Sequence, residues 1–486
     1  GITTTDLPRF FRCFWEIQYK NEDWIFQQGT VKSTCHFGGK EGILLWEKGE
    51  GGINQLRKDG ATVVITGLDA WNRKGLVVNR MNLGVTLYDG DSFDTGVAVL
   101  VPRDQNILPA LWSFCSSSEF AKMIKTFNHS MVVEYVYLPK VPLNIDYWKK
   151  EAEKEYPNSL PKPHTDNPDQ WIFHGHPCGS VIWDEESKWT THGPLRSDET
   201  VLHVAVARLL GYRWPAEQDP DMELAEESRE WVNRCQNLLP LADEDGIVCI
   251  PSVHGEPRAI ERLLHMLEKA YGEVWNPAML NKLLTAVECS GKDLDHWLRE
   301  KFFEQHCKIF HHRPFIWHIW DGLKDGFSVL VNYHKLNRHN LERLIYTYLG
   351  NWIRSQERAQ AEGVDGADEK VLAAEGLKKR LEAILHGEKP LDIFVRWKPL
   401  EEQPIGWKPD LNDGVRLNIR PFVYVDDVKH KGAGVLRKKP NIKWNKDRGK
   451  DVESAPWYHL FKGERINDYH LSLAEKKEAS EKTKKG

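Results

Sequence analysis

Long apolar runs are missing from this chain: none approaches the roughly 18 to 20 residues that would cross a bilayer, so a membrane-spanning role is excluded. A secretory leader is missing too, because GITTTDLPRFFRCFWE has no basic region followed by an apolar core and a small-residue cleavage site. The eight cysteines (Cys13, Cys35, Cys115, Cys178, Cys235, Cys249, Cys289, Cys307) show no CxxC spacing. Reduced, buried thiols in a cytoplasmic protein are therefore expected, not a disulfide framework or a structural zinc site. An excess of positive charge is also lacking: 66 Lys and Arg against 71 Asp and Glu give a net charge of -5. A protein coating nucleic acid along its whole surface is ruled out, and any grip on a polyanion has to be local.

Such a local reversal exists. Between Lys429 and Lys450 stand Lys429, Lys431, Arg437, Lys438, Lys439, Lys443, Lys446, Arg448 and Lys450, with Asp447 as the one acid. Trp444 and Gly449 interrupt the cations, offering a stacking ring and a point of close approach to a phosphate. A basic loop that merely faces water has the same composition, so both readings stand at this level. Twenty tryptophans are the other peculiarity, expected mostly as anchors of cores or interfaces.

Periodicity divides the 486 residues. Residues 1 to about 105 alternate in short apolar stretches broken by glycines, as in ATVVITGL, GLVVN and GVAVLVP, and predict strands. Two helices are predicted within 106–127, the second opened by a serine with Glu119 in its first turn, and MVVEYVYLPKVPL reads as a strand ended by Pro139 and Pro142. Residues 151–198 are polar and proline-rich and are expected to form a linker or surface excursion. Helices are predicted at VLHVAVARLLGYRWP, through 256–310, near 340–358 and at VLAAEGLKKRLEAILHG, with a hairpin in FIWHIWDGLKDGFSVLVNYH. The expected class is α+β: a β-rich domain over 1–150, a mainly helical one over 199–400, a basic segment over 401–470 and a frayed tail over 471–486.

Complete catalytic constellations are hard to find. His174, His176 and Cys178 have a metal-like look in HGHPC, but with no fourth ligand nearby a local turn is favoured. His306, Cys307, His311 and His312 lie in a helical period that assigns them to packing and surface. No G-x-S-x-G elbow surrounds Ser116, Ser117 and Ser118, and no Glu-x-Lys pair accompanies Pro220-Asp221. A glycine-rich cofactor turn would have to join a strand to a helix, a context that Gly432-Ala433-Gly434 lacks. No two prolines are adjacent, which excludes the Asn/Asp-Pro-Pro-aromatic loop that holds a flipped base for amine methylation. No catalytic, cofactor-binding or metal residue is therefore assigned.

Several stretches, taken in order, resemble the C-terminal half of large adenine-specific DNA methyltransferases of the type IIG restriction-modification and PglX-like phage-defence class. They are WIFQQGTVKSTCHFGGKEGILLWEKGEG, GVAVLVPRDQNILPALWSFCSSSEFAKMIKTF with LPKVPL, VAVARLLGYRWP, FSVLVNYHKL, and DGVRLNIRPF with IKWNKDRGKD. The unit from Ile107 to Pro142 is similar to one in the target-recognition domains of these enzymes. The resemblance implies a DNA-recognition region whose S-adenosylmethionine-binding methyltransferase domain precedes it on polypeptide outside this chain, so no cofactor is expected here. Double-stranded DNA, that domain and other defence proteins are the expected partners. The expected phosphate-binding residues are Arg437, Lys438, Lys439, Lys443, Trp444, Lys446, Arg448 and Lys450. Arg57, Arg73 and Arg80 are candidate base readers, with surface ion pairing as the competing role. A protein-interaction scaffold within a defence complex is the alternative.

Overall fold

The computed structural model describes residues 1–4, 6–18, 22–60, 62–127, 130, 132–253, 255–429, 432–443 and 470–485. Helix makes up 45% and strand 13%, with strands concentrated early and helices later, which is an α+β fold. No described helix is long and apolar enough to cross a membrane. Two compact units share the chain, and both are discontinuous. The first comprises Gly1–Phe14, Tyr19–Leu195 and Trp214–Arg234; the second comprises Trp15–Gln18, Arg196–Arg213 and Cys235–Gly486. This interleaving replaces the linear division at 150, 198 and 400. Its cause is specific: Trp15 donates its indole N–H to the Arg313 carbonyl at 2.9 Å and its own carbonyl meets His334 Nε2 at 2.7 Å, partners about 300 positions away.

The first unit holds strands β1 (Ile2–Thr3), β2 (Phe11–Cys13), β3 (Trp24–Gln28), β4 (Gly42–Leu45), β5 (Val64–Ile65), β6 (Gly75–Asn79), β7 (Val85–Tyr88), β8 (Ser92–Phe93) and β9 (Val97–Leu100), then the hairpin β10 (Val181–Asp184) and β11 (Trp189–His192). They pair as β2-β4-β3-β8, β7-β6-β9, β1-β5 and β10-β11. Alternation puts Val77, Tyr88, Phe93 and Val97 into one cluster, while Ile2, Phe10, Leu44, Ile53 and Leu56 form another. Helices Leu108–Ser116 and Ser118–Phe127 follow as the period predicts, Ser117 Oγ accepting the Phe120 N–H at 3.4 Å.

Two expectations fail here. The described part of MVVEYVYLPKVPL, residues 132–143, forms no strand: Tyr135–Lys140 is a 3-10 helix, and just before it Val133 is held by Arg80, whose carbonyl accepts the Val133 N–H at 2.8 Å and whose Nε donates to the Val133 carbonyl at 2.9 Å. Nor do residues 151–198 form an excursion over the surface. Ile145–Glu155 is a helix, and Trp171, Ile172, Phe173 and Cys178 beyond it are buried. Trp171 stacks on Phe26 at 4.4 Å, and its N–H donates to the Lys40 carbonyl at 2.9 Å while Gln170 Oε1 accepts the Lys40 N–H at 2.7 Å. Lys40 itself is buried between Asp89 (2.9 Å) and Asp91 (3.3 Å). The prolines supply turns, and the few large apolar residues between them do the anchoring.

The second unit is built on the antiparallel sheet β12-β14-β13, formed by β12 (Ile247–Cys249), β13 (Ile316–Trp320) and β14 (Ser328–Asn332), all of whose residues are buried. Helices Thr200–Leu209, Ala259–Tyr271, Leu294–Glu300, Phe302–Ile309, Gly350–Ala361 and Ala367–His386 belong to it; Gly387, at φ 64°, ends the last. Trp317 stacks on Tyr333 at 5.2 Å, and Trp407 donates its N–H to the Leu336 carbonyl. The frayed tail expected over 471–486 is instead a helix, Leu473–Lys485. Lys476 fastens it: 1% exposed, it donates to the carbonyls of Ile393 (2.7 Å) and Pro404 (2.8 Å) and lies 3.5 Å from Asp392. Composition marks the segment as polar, but one ammonium with two carbonyls and a carboxylate satisfies the cost of burial.

Candidate nucleic-acid interface

The basic run enters the second unit through a tight turn. Asp427 Oδ1 accepts the Lys429 N–H at 2.9 Å, and its other oxygen accepts from Gly432 and Ala433. Gly434 has φ 57°, and a Cβ there would collide with the Phe422 carbonyl oxygen. Gly434 thus serves a close backbone approach, whereas Gly432, at φ 68°, has open space around it and supplies the left-handed turn. Beyond the turn Val435, Leu436 and Arg437 lie along β13: Trp320 donates N–H to Val435, Leu436 bridges to Ile319, and Arg437 donates N–H to the His318 carbonyl at 2.9 Å.

From there exposure alternates. Pro440 and Ile442 are buried, whereas Lys438, Lys439, Asn441 and Lys443 face water. Between the two buried residues the chain turns tightly, the Ile442 N–H donating to the Pro440 carbonyl at 2.8 Å, which leaves the lysines on either side in water. The cations do not play equal parts. Arg437 is 16% exposed at its side chain, pairs with Glu300 and lies 3.9 Å above the Trp320 ring, so it anchors the arm instead of offering itself to a ligand. Lys438, 56% exposed, reaches Glu304 at 3.2 Å, as Lys308 does at 3.3 Å. Burial pushes the Glu304 carboxyl up, but its hydrogen bonds and charge attraction to Lys438 and Lys308 outweigh that and hold it below the ordinary range. Trp444, Lys446, Arg448 and Lys450 lie outside the described residues.

The structure adds neighbours that the sequence did not single out. Tyr424, 46% exposed, stands between Lys439 (ammonium 5.8 Å from the ring) and Arg420 (guanidinium 5.2 Å). His312 Nδ1 accepts the Asn441 N–H at 3.3 Å, and burial first, then the neighbouring Arg313, His311 and Lys308, lower its pKa. His311 and His312 both have positive φ, 51° and 56°, where the chain leaves helix Phe302–Ile309. Two groups result: Arg420 and Lys439 flank the exposed Tyr424 ring, and Lys438, next along the chain, shares the Glu304 carboxylate with Lys308. The ring in RPFVY was the legible signal, overlooked because the lysines downstream were denser.

The other candidate residues are placed differently. Arg57 is exposed on helix Gly52–Lys58. Arg80 spends its guanidinium on the Val133 and Thr95 carbonyls and on Glu134 at 3.1 Å, leaving it occupied within the fold. Arg73 rests on the Asp69 and Pro102 carbonyls at 3.5 and 3.4 Å and lines a cavity of about 840 Å³ in the first unit. His174, His176 and Cys178 form a buried turn in which the His176 N–H donates to His174 Nδ1 at 3.0 Å and His176 packs on Trp231 at 4.6 Å. His306 is fully buried, its Nε2 accepting the Ile316 N–H at 3.2 Å. All eight cysteines are free thiols. No protein-family model matches the chain, and no curated protein matches it.

Proposed function

We propose that the chain is the DNA-recognition region of an adenine-specific, S-adenosylmethionine-dependent DNA methyltransferase of a restriction-modification or phage-defence system. The methyl-transfer chemistry belongs to a domain outside these residues. One observation carries the DNA-binding half of this reading: the exposed Tyr424 ring with Arg420 and Lys439 beside it. Cations neutralise phosphates and release counterions, while an aromatic face stacks on a base or packs on a sugar without regard to sequence. The methyltransferase half rests on the order of the sequence segments named above.

Replacing Lys438, Lys439 and Lys443 together by Ala tests the first half. Fluorescence anisotropy with a labelled duplex across a salt series is expected to show weaker binding and a log-log salt slope smaller in magnitude by about 2 to 3, at about 0.9 for each phosphate that is no longer neutralised. The melting temperature should stay nearly constant, since exposed ion pairs contribute little. An unchanged affinity and slope overturns the assignment. For the second half, cells carrying the gene with its genomic neighbours should hold N6-methyladenine in one sequence motif; a genome without such a motif removes it.

A further inference from the structure

Two carboxylates of the second unit receive two consecutive cations of the basic run. Glu300 ends helix Leu294–Glu300 and pairs with Arg437; Glu304 stands in helix Phe302–Ile309 and pairs with Lys438 at 3.2 Å. Burial separates these pairs into two kinds. The side chains of Arg437 and Glu300 are 16% and 25% exposed, so parting them would strand charge where water is scarce, and the pair is a fixture. Lys438 and Glu304, at 56% and 43%, stand in water, where an ion pair opens at little cost. Glu304 also serves a second lysine: Lys308, one turn further along its helix and 64% exposed, meets Oε1 at 3.3 Å while Lys438 meets Oε2. Among the described residues neither ammonium has another acidic partner.

We infer that Glu304 is an internal competitor of the DNA backbone, its carboxylate holding the place of a phosphate between Lys308 and Lys438 until duplex binding displaces it. The inference rests on the DNA-recognition reading above and adds a restraint to it. A carboxylate with one ammonium on each oxygen has the arrangement that a phosphodiester makes with the same two lysines through its two terminal oxygens, so the exchange needs no new geometry from the protein. It does need the pairs with Glu304 to open, which subtracts from the gain of neutralising a phosphate. Two ammonium groups around one carboxylate leave a single positive charge, so a stray polyanion finds little to hold there. A duplex that also engages Lys439 and Arg420 offsets the exchange with contacts elsewhere. Because Arg437 stays on Glu300, the arm keeps its seat while Lys438 changes partner.

Glu304→Gln keeps the shape of the side chain and removes its charge. Anisotropy with a fluorescein-labelled duplex is expected to show binding about fivefold tighter than that of the parent, the scale of one exposed ion pair. Lys438→Ala is then measured in both backgrounds. Its cost to affinity should be at least about threefold greater in the Glu304→Gln background, because only there is the ammonium free beforehand; Lys308→Ala in place of Lys438→Ala should give a coupling of the same sign. If Lys438→Ala costs the same in both backgrounds, Glu304 merely repels DNA from a distance, and the inference is overturned even where Glu304→Gln binds more tightly. Unchanged affinity in Glu304→Gln overturns it as well. Failure of the DNA-recognition reading has a different signature: the parent and every variant then lack duplex binding, and both proposals fall together.

Discussion

Each unit covers an outer strand of a sheet with irregular chain of its own, but with different residues and a different consequence. In the second, the outer edge of β13 is covered by the chain's own Val435, Leu436 and Arg437, with Trp320 donating its backbone N–H to Val435 and its indole N–H to Leu436 at 3.2 Å. In the first, Cys35 and His36 run along β7, the Cys35 N–H donating to the Val85 carbonyl at 3.1 Å and the His36 carbonyl accepting the Leu87 N–H at 2.9 Å. An edge offers the same hydrogen-bonding groups in both places, so the difference lies in what the sequence supplies to meet them. In the second unit the covering residues also bring a cation run to the surface, and sealing a sheet and displaying charge become one structural act. In the first unit the covering residues are half-buried and serve packing, the His36 ring lying 5.3 Å from Trp112.

Removing the seal is the strongest way to erase this contrast. Gly434→Val introduces a side chain where φ is positive and a Cβ meets the Phe422 carbonyl, so the arm has to leave β13. We expect a loss of about 3 kcal/mol or more, read by urea unfolding, together with faster amide exchange in β13. Stability equal to the parent would show that the arm does not depend on that turn. Arg437→Ala should act next, at about 2 to 3 kcal/mol, because it leaves Glu300 without its partner and uncovers Trp320. Duplex affinity per folded molecule should change less in this variant than in the triple lysine variant, since the anchor is distinct from the exposed ammonium groups.

A smaller, pH-dependent effect probes the helices of the sealed unit. His203, 1% exposed and stacked on Phe302 at 5.2 Å, has its pKa lowered by burial from 6.5 to about 3. The unfolded chain therefore binds a proton that the folded one refuses. The contribution to stability is complete above pH 6.5 and is lost as pH falls toward 3, about 2 kcal/mol by pH 5. In His203→Phe this loss is absent, so the stability difference between variant and parent should shift by about that amount in the variant's favour from pH 7.5 to pH 5. A pH-independent difference would mean that the ring at 203 is not shielded from protons.

Local pattern was a good guide wherever an element makes its own case. The hairpin β13-β14, the paired helices after Ile107, and Gly387 as a stop were all legible, since periodicity and a left-handed cap act over a few residues. Segments whose polar residues are satisfied far away were misread. Lys40 binds Gln170 and Trp171 across 130 positions, and Lys476 reaches Ile393 and Pro404 across more than 70. The basic run was visible as composition, but not the division of labour inside it, because only the position of Glu300 and Trp320 makes Arg437 an anchor and leaves Lys439 facing water.

By itself the sequence determined the α+β class, the lack of any membrane-spanning helix among the described residues, the reduced thiols and the place along the chain where positive charge gathers; each follows from composition or from short-range geometry. Tertiary structure alone decided which stretch of chain covers which strand edge, which lysines are buried and which exposed, and how two units share one chain. Those outcomes depend on pairings between residues tens to hundreds of positions apart, where hydrogen bonds and ion pairs are made or left unmade according to what the folded backbone brings within about 3 Å.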